Sequence, residues 1–137
     1  MTPLVIDASV AIKWVVEEKE SARALYLRRG HVLYAPDLIW AECANILWKK
    51  VARSEMTSED ARLAGRILLS SGIRTVPARQ IVLPALDLAF HLRHPAYDCL
   101  YLAAASILQC ACVTADRRLM EKAAASDEAI PAVLPLD

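Results

Sequence analysis

Four acidic residues lie where buried strands are predicted to end or where helices are predicted to begin: Asp7, Glu42, Asp98 and Asp116. Asp7 follows the apolar run Leu4-Val5-Ile6, which is typical of a strand buried on both faces of a parallel sheet. Asp116 follows a second buried strand, predicted over residues 111–114. Because parallel strands end at the same edge of a sheet, both carboxylates are expected where open α/β folds bind their ligands.

The other two acids are placed by helices. Glu42 lies one turn into a long helix, predicted over residues 37–53, which follows a short strand over residues 32–35 and begins at the same edge. Asp98 opens the most apolar helix of the chain, predicted over residues 98–109, and is its only charge. Since a helix that is apolar all round is buried and central, the four placements converge on one face of the domain.

Three of the four acids also have a purely structural explanation. Asp98 and Asp116 could cap the helices that they begin, and Glu42 could lie on the narrow polar stripe that its helix shares with Asn45 and Lys49. These explanations suffice for the residues taken singly. The convergence of all four acids is what indicates a common site.

Such a cluster has a definite chemistry. Carboxylates held close together repel one another and raise each other's pKa unless a cation neutralises them. Oxygen ligands on an open edge suit Mg²⁺ or Mn²⁺, which keep waters that a substrate phosphate can displace. One or two such ions can activate water and stabilise the leaving oxygen when a phosphodiester is cleaved. We therefore expect the four carboxyl groups within bridging distance of one or two cations.

The histidines and cysteines do not suggest a metal site. His31 follows a glycine in a predicted turn, and His91 and His94 flank a helix end before a proline. The cysteines form no CxxC pair and lack the spacing of a zinc site, which is the weaker alternative. We expect them to be small buried hydrophobic residues in a reducing cytoplasm: Cys43, Cys99, Cys110 and Cys112.

Composition sets limits on the fold and on the partners. With 137 residues, 56% of them hydrophobic and 23% charged, we expect one folded domain over residues 1–137. Lys plus Arg equals Asp plus Glu at 16 each, so net charge does not indicate nucleic acid, although a local basic patch remains compatible with it. No apolar run reaches the roughly 20 residues of a membrane span, and no signal-peptide pattern is found, so we expect a cytoplasmic protein.

Strands and helices alternate along the whole chain, which predicts an α/β domain with a mainly parallel sheet. Ser9 is expected to be the N-cap of a first helix that ends near Glu17. Further helices are predicted over residues 21–29, 57–72, 80–93 and 117–125, the third of these interrupted by Pro84, with further strands over residues 73–76 and 132–134.

These residues carry a resemblance to a known family. The stretches VIDASVAIKW, AECANILWK, YDCLYLAAA and VTADRRL resemble the four acidic motifs of the PIN domain, most closely those of VapC-like toxins of bacterial type II toxin–antitoxin pairs. The resemblance runs from residue 4 to the last predicted strand. It implies a PIN-like three-layer α/β/α fold whose central, mainly parallel twisted sheet has four or five strands.

The resemblance also implies a metal-dependent endoribonuclease. Family positions that match the four acids bind Mg²⁺ or Mn²⁺, with Asp7 and Asp98 expected to be the main ligands. Thr114, Ser9 and Asn45 match polar positions that often support the site. Cys99 stands where the family commonly has a small residue such as Ala.

The partners implied by the resemblance are RNA, often structured RNA such as tRNA or rRNA, and a cognate antitoxin that wraps the toxin. Four aromatic residues on the first three helices could line a groove for a partner helix or pack in the core: Trp14, Tyr26, Trp40 and Trp48. Four basic residues could hold RNA phosphates or lie in solvent: Lys13, Lys49, Arg117 and Arg118. An exposed apolar groove would also favour a homodimer, and no membrane partner is expected.

Two alternatives come from other classes of protein. A Mg²⁺-dependent phospho-acceptor or phosphatase-type α/β domain also has an Asp after its first strand. A dehalogenase-type phosphatase would have a second Asp where this chain has Ser9, and a receiver would have an acidic pair and a late Lys that Asp116-Arg117 does not supply. The other alternative is a catalytically silent PIN-fold binding module, but all four acids are present. Metal-dependent RNA cleavage separates the three hypotheses.

Overall fold

A five-stranded parallel sheet in the order β3-β2-β1-β4-β5 forms the centre of the protein, whose computed structural model describes residues 1–126 and 130–136. The strands are β1 (Thr2–Ile6), β2 (His31–Pro36), β3 (Arg74–Val76), β4 (Cys112–Thr114) and β5 (Val133–Pro135). The predicted parallel sheet is confirmed. Of the predicted domain over residues 1–137, residues 127–129 and residue 137 lie outside the described residues.

Seven helices connect these strands within the described residues. They are α1 (Ala8–Ala11), which continues as a 3₁₀ turn (Ile12–Trp14), α2 (Ser21–Tyr26), α3 (Leu38–Ala52), α4 (Ser58–Leu69), α5 (Ala78–Leu92), α6 (Ala96–Leu108) and α7 (Arg117–Ala124). None of the helices in this part of the chain is long and apolar enough to cross a membrane.

The order of the strands fixes where a ligand site can form. From β1 the chain builds outward through β2 and β3 on one side, and β4 and β5 extend the sheet on the other. Right-handed crossovers then place the helices of the two halves on opposite faces, which gives the predicted three layers. The direction in which the chain adds strands reverses between the parallel neighbours β1 and β4. Doubly wound sheets bind ligands in the crevice at the carboxyl ends of such a pair.

The core forms where β1 meets α6. Val5 and Ile6 are fully buried, and each contributes about 1.5–3 kcal/mol when its side chain leaves water. Every residue of α6 from Cys99 to Ala105 is buried, as the apolar pattern predicts. Three consecutive alanines in that stretch are small enough for the helix to approach its neighbours closely. Asp98 therefore stands in the first turn of a helix whose central residues are all buried.

Three local predictions were wrong. Asp7, and not Ser9, is the N-cap of α1, because the extended backbone at Asp7 lets its Oδ1 accept a hydrogen bond from the Val10 N–H at 3.3 Å. The first helix ends in a 3₁₀ turn at Trp14, before Glu17. Pro84 does not interrupt α5, since it lies on the exposed face, where water can satisfy the carbonyl that its ring leaves unpaired.

Candidate active site

A cavity of about 170 Å³ opens at the carboxyl edge of the sheet, beside the ends of β1 and β4. All four predicted acids line it, together with two small residues and two larger ones: Asp7, Glu42, Asp98, Asp116, Ala8, Ser9, Ile46 and Tyr101. The acids come from four different parts of the fold. The structure thus brings them together as the sequence predicted.

Asp7 is the most buried of the four acids, with 7% of its surface exposed. Its Oδ1 accepts a hydrogen bond from Ser9 Oγ at 2.5 Å, and its Oδ2 accepts one from the Thr114 hydroxyl. Burial raises the pKa of Asp7 from 3.8 to about 6. The hydrogen bonds from Ser9, Thr114 and the Val10 N–H oppose that shift, whereas the charge of Asp98 adds to it.

Thr114 and Ser9 also join the two strand ends to each other. Thr114 Oγ1 accepts a hydrogen bond from the Asp116 N–H at 2.9 Å, and Ser9 Oγ accepts one from the Ala115 N–H at 3.0 Å. Two of the three predicted supporting residues therefore contact the acids. The third, Asn45, is exposed and lines a neighbouring cavity instead.

Glu42 lies on α3 and is held by a residue that the sequence analysis missed. The buried Tyr101 hydroxyl on α6 donates a hydrogen bond to Glu42 Oε1 at 2.5 Å. Burial raises the pKa of Glu42, and the charge of Asp98 raises it further, while the hydrogen bond from Tyr101 lowers it. The available signal for this contact was Tyr101 itself, the one hydroxyl in the stretch of α6 from Cys99 to Ala105, because a buried hydroxyl needs a hydrogen-bond partner.

Asp98 also has a partner that the sequence analysis did not assign to the site. The Nε2 atom of His94 lies 2.5 Å from Asp98 Oδ2, and the histidine is buried. The spacing of four residues between His94 and Asp98 could have suggested the contact, but the proline that separates them indicated a loop.

Asp116 caps a helix, as its structural explanation predicted. Its Oδ1 accepts hydrogen bonds from the N–H groups of Arg118 at 2.9 Å and Leu119 at 3.5 Å, at the start of α7. Both cap bonds use the same oxygen, and Asp116 still lines the cavity. Capping and membership of the acidic site are therefore compatible in this residue.

The described residues do not form a ready-made set of metal ligands. Among residues 1–126 and 130–136, no three side chains of His, Cys, Asp or Glu are arranged so that they could hold one metal ion. Each carboxylate is instead held by hydrogen bonds from its own neighbours, and repulsion between like charges opposes a closer approach. That the four carboxyl groups lie within bridging distance of one or two cations stays a prediction.

The donor set nevertheless fits a hard divalent cation. It consists of carboxylate oxygens that share one cavity, and the charge of Asp98 raises the pKa of both Asp7 and Glu42. No Lys or Arg in the described part of the chain forms an ion pair with any of the four acids. Rotation of the carboxylate side chains would have to complete a coordination shell.

Comparison with known proteins agrees with this geometry. The family model of the PIN domain matches residues 4–125. VapC ribonuclease Mb0985 of Mycobacterium bovis and ribonuclease VapC9 of Mycobacterium tuberculosis are each 31% identical to this chain over 120 residues, which is 86% of this chain and 89% of the relative.

Solved structures show the same fold. The crystal structure of PAE2754 from Pyrobaculum aerophilum has a TM-score of 0.70 at 20% identity and covers 98% of this chain and 91% of its own. That of Mycobacterium tuberculosis VapC20, a sarcin–ricin loop cleaving toxin, has a TM-score of 0.67 at 17% identity and covers 93% and 99%. With the family match extending over residues 4–125, the chain belongs to the PIN-domain family, in which its relatives are VapC ribonucleases.

Proposed function

We propose that the protein is a divalent-metal-dependent endoribonuclease that hydrolyses RNA phosphodiester bonds, and that it is the cytoplasmic toxin of a type II toxin–antitoxin pair. The observation that carries this proposal is the cavity lined by Asp7, Glu42, Asp98 and Asp116 in a chain of the PIN-domain family. The names of its relatives, which are VapC ribonucleases, support RNA as the substrate.

The four acids would hold Mg²⁺ or Mn²⁺. Asp7 and Asp98 would be the main ligands, because Asp7 is buried next to the charge of Asp98, and Glu42 and Asp116 would complete the shell directly or through water. When bound, the cation would supply activation of the attacking water and neutralisation of the phosphate charge.

The chain's own contribution is to fix the orientation of these carboxylates. Ser9 and Thr114 hold both oxygens of Asp7, and Tyr101 holds one oxygen of Glu42. Because these donors are neutral, they orient the carboxylates without cancelling the charge that attracts a cation. The carboxylates are thus oriented before a cation binds, and only the side-chain rotations that complete its coordination shell remain.

A second cavity, of about 450 Å³, gives RNA a path to the acids. It shares Glu42 and Ile46 with the acidic cavity and is also lined by Asn45, Lys49 and Tyr97. Tyr97 is 65% exposed, so a nucleobase can stack on its ring while Lys49 contacts a phosphate. Asn45 then supports the RNA side of the site and not the acids.

The basic residues divide into two groups. Arg117 and Arg118 are exposed at the start of α7, next to Asp116, where they can contact phosphates that approach the acids. Lys13 lies 3.5 Å from the carboxylate of Glu18, which Lys50 also contacts at 2.8 Å. We therefore assign phosphate binding to Lys49, Arg117 and Arg118, and a structural ion pair to Lys13.

An apolar groove between α3 and α4 is the proposed docking site for the antitoxin. It encloses about 480 Å³ and is lined by Trp40, Trp48 and Leu69, with Arg62 and Arg66 of α4 also in its lining. Basic side chains beside an apolar groove suit an amphipathic helix that has acidic residues along its edge.

The other two aromatic residues have different surroundings. Trp14 donates its Nε1–H to the Ala24 carbonyl at 2.8 Å and packs under Arg28, whose guanidinium carbon lies 5.0 Å from the ring centroid. Tyr26 lines another cavity.

For homodimer formation, exposed apolar residues of α5 such as Leu83 and Phe90 offer a second surface. Sedimentation of the isolated chain would test whether it forms a dimer.

The decisive experiment measures RNA cleavage by the purified protein with Mg²⁺ or Mn²⁺, with EDTA, and with Asp98→Asn. We expect EDTA to abolish cleavage, either cation to restore it, and the variant to lose about 100-fold or more of the rate. Cleavage by Asp98→Asn at the normal rate in chelator would refute the proposal. Hydrolysis of a phosphomonoester in place of RNA would favour the phosphatase alternative.

A further inference from the structure

His94 is a buried histidine that the proposed chemistry does not yet use. It follows the end of α5 in the short connection to α6, and only 3% of its side chain is exposed. The His94 backbone N–H donates to the Ala89 carbonyl at 3.2 Å, and the His94 carbonyl oxygen lies 4.0 Å from Cys99 Sγ. The backbone on which the imidazole stands is therefore fixed on both sides.

The two ring nitrogens of His94 have different environments. Nε2 lies 2.5 Å from Asp98 Oδ2, and a carboxylate can only accept a hydrogen bond, so Nε2 carries the proton. Nδ1 is buried and has no hydrogen-bond partner within the described residues. A proton on Nδ1 would be a buried donor without an acceptor, which is costly. The geometry thus corresponds to a hydrogen bond that Nε2–H donates to the Asp98 carboxylate.

A hydrogen-bond donor at this position has a specific effect on Asp98. It fixes one carboxylate oxygen, Oδ2, while leaving the other oxygen available to a cation. Partners that orient a ligand from outside the coordination shell commonly change metal affinity or activity by about 10- to 100-fold.

We propose that His94 is a positioning residue that presents Asp98 to a divalent cation through a hydrogen bond from its Nε2–H. This inference rests on the proposed function, because it assigns a role within the same acidic site. It adds a residue from the α5–α6 connection to a site otherwise formed by strand ends and helix starts.

The test compares His94→Leu with His94→Gln. A leucine fills the space without a donor, whereas a glutamine can place an amide N–H near the position of Nε2. We expect His94→Leu to weaken Mn²⁺ binding, measured by calorimetry, by about 10- to 100-fold and to lower kcat with little change in the KM for RNA. His94→Gln should recover most of both losses. His91→Leu, at an exposed histidine near the end of α5, is the matched control and should bind Mn²⁺ like the wild type.

A second measurement does not depend on a variant or on activity. Long-range ¹H–¹⁵N correlation spectra of the wild-type protein in EDTA report which ring nitrogen of His94 is protonated. We expect the Nε2–H tautomer. This arm decides the inference if His94→Leu does not fold.

The outcomes separate this inference from the proposed function. If Asp98→Asn is inactive but His94→Leu binds Mn²⁺ and cleaves RNA like the wild type, the role of His94 is wrong and the function stands. An Nδ1–H tautomer would also overturn the inference. If the wild type cleaves no RNA, the proposed function fails, while a loss of Mn²⁺ affinity in His94→Leu and its recovery in His94→Gln would still support the positioning role.

Discussion

The Thr114 hydroxyl donates a hydrogen bond to the carboxylate of Asp7, although the two residues are 107 positions apart in the sequence. Asp7 follows β1 and Thr114 ends β4, and these are the two neighbouring parallel strands from which the chain adds further strands in opposite directions. Pairing of β1 with β4 therefore places the hydroxyl beside the carboxylate. The fold itself orients the most buried acid of the proposed site.

Thr114→Val should separate the hydrogen bond from the shape of the residue. Valine fills the same space but leaves one oxygen of Asp7 buried without this donor, so we expect a loss of about 1–3 kcal/mol in the free energy of unfolding at pH 8. RNA cleavage should fall because Asp7 loses its orientation. Thr114→Ser keeps the donor and should stay close to the wild type in both measurements. Urea unfolding and cleavage that are unchanged in the valine variant would contradict the role of this bond.

Asp7 should also make the metal-free protein less stable as the pH rises. Its pKa in the folded state is about 6, above the ordinary 3.8, so the folded form binds the proton more tightly than the unfolded form does. The resulting stabilisation is complete below pH 3.8 and is lost as the pH rises through about 6. It amounts to at most about 3 kcal/mol.

Urea unfolding in EDTA between pH 4 and pH 8 measures this effect, with Asp7→Asn as the control. The asparagine variant cannot titrate at this position, so its stability should fall less over that range, and it should be the more stable protein at pH 8. Mg²⁺ should stabilise the wild type at pH 8 more than it stabilises the variant. Parallel pH profiles of the two proteins would show that Asp7 has an ordinary pKa.

Local patterns in the sequence were sufficient to predict the parallel sheet, the buried α6 and the convergence of the four acids. They could not predict Tyr101 or His94 as partners of those acids. The contact from Tyr101 to Glu42 spans 59 positions in the sequence. It forms only if α3 and α6 pack close together, and that distance depends on the buried side chains of the folded protein and not on a local sequence pattern. Ser9 was wrongly predicted to be the N-cap of α1 because Asp7, two residues earlier, is an equally good N-cap residue and takes that position.

Asp116 should show its two roles separately when it is changed in two ways. Asparagine is as good an N-cap as aspartate, so Asp116→Asn should keep the start of α7 and the free energy of unfolding within about 0.5 kcal/mol of the wild type. It should still lose most of the RNA cleavage, because one anionic ligand is gone. Asp116→Ala should lose the cleavage and, in addition, about 1 kcal/mol of stability. Normal cleavage by Asp116→Asn would restrict this residue to its capping role.

The groove between α3 and α4 should bind the antitoxin through its exposed tryptophan. Trp48 is 64% exposed and lines the groove, so burial under an apolar helix face would make it an anchor of the interface. We expect Trp48→Ala to lower the affinity for the cognate antitoxin by about 30-fold or more, a cost of about 2 kcal/mol. RNA cleavage by the isolated variant should be unchanged, because Trp48 does not line the acidic cavity.

Tyr26→Ala is the matched control for that experiment. Tyr26 is an exposed aromatic residue of α2 that lies outside the groove, so its removal should leave the affinity for the antitoxin unchanged. Charge reversal at Arg62 should weaken binding less than Trp48→Ala does and in a salt-dependent way, because a charge at the edge of an interface acts mainly on the association rate. If Trp48→Ala binds the antitoxin like the wild type while Tyr26→Ala does not, the antitoxin docks on the face of α2 instead.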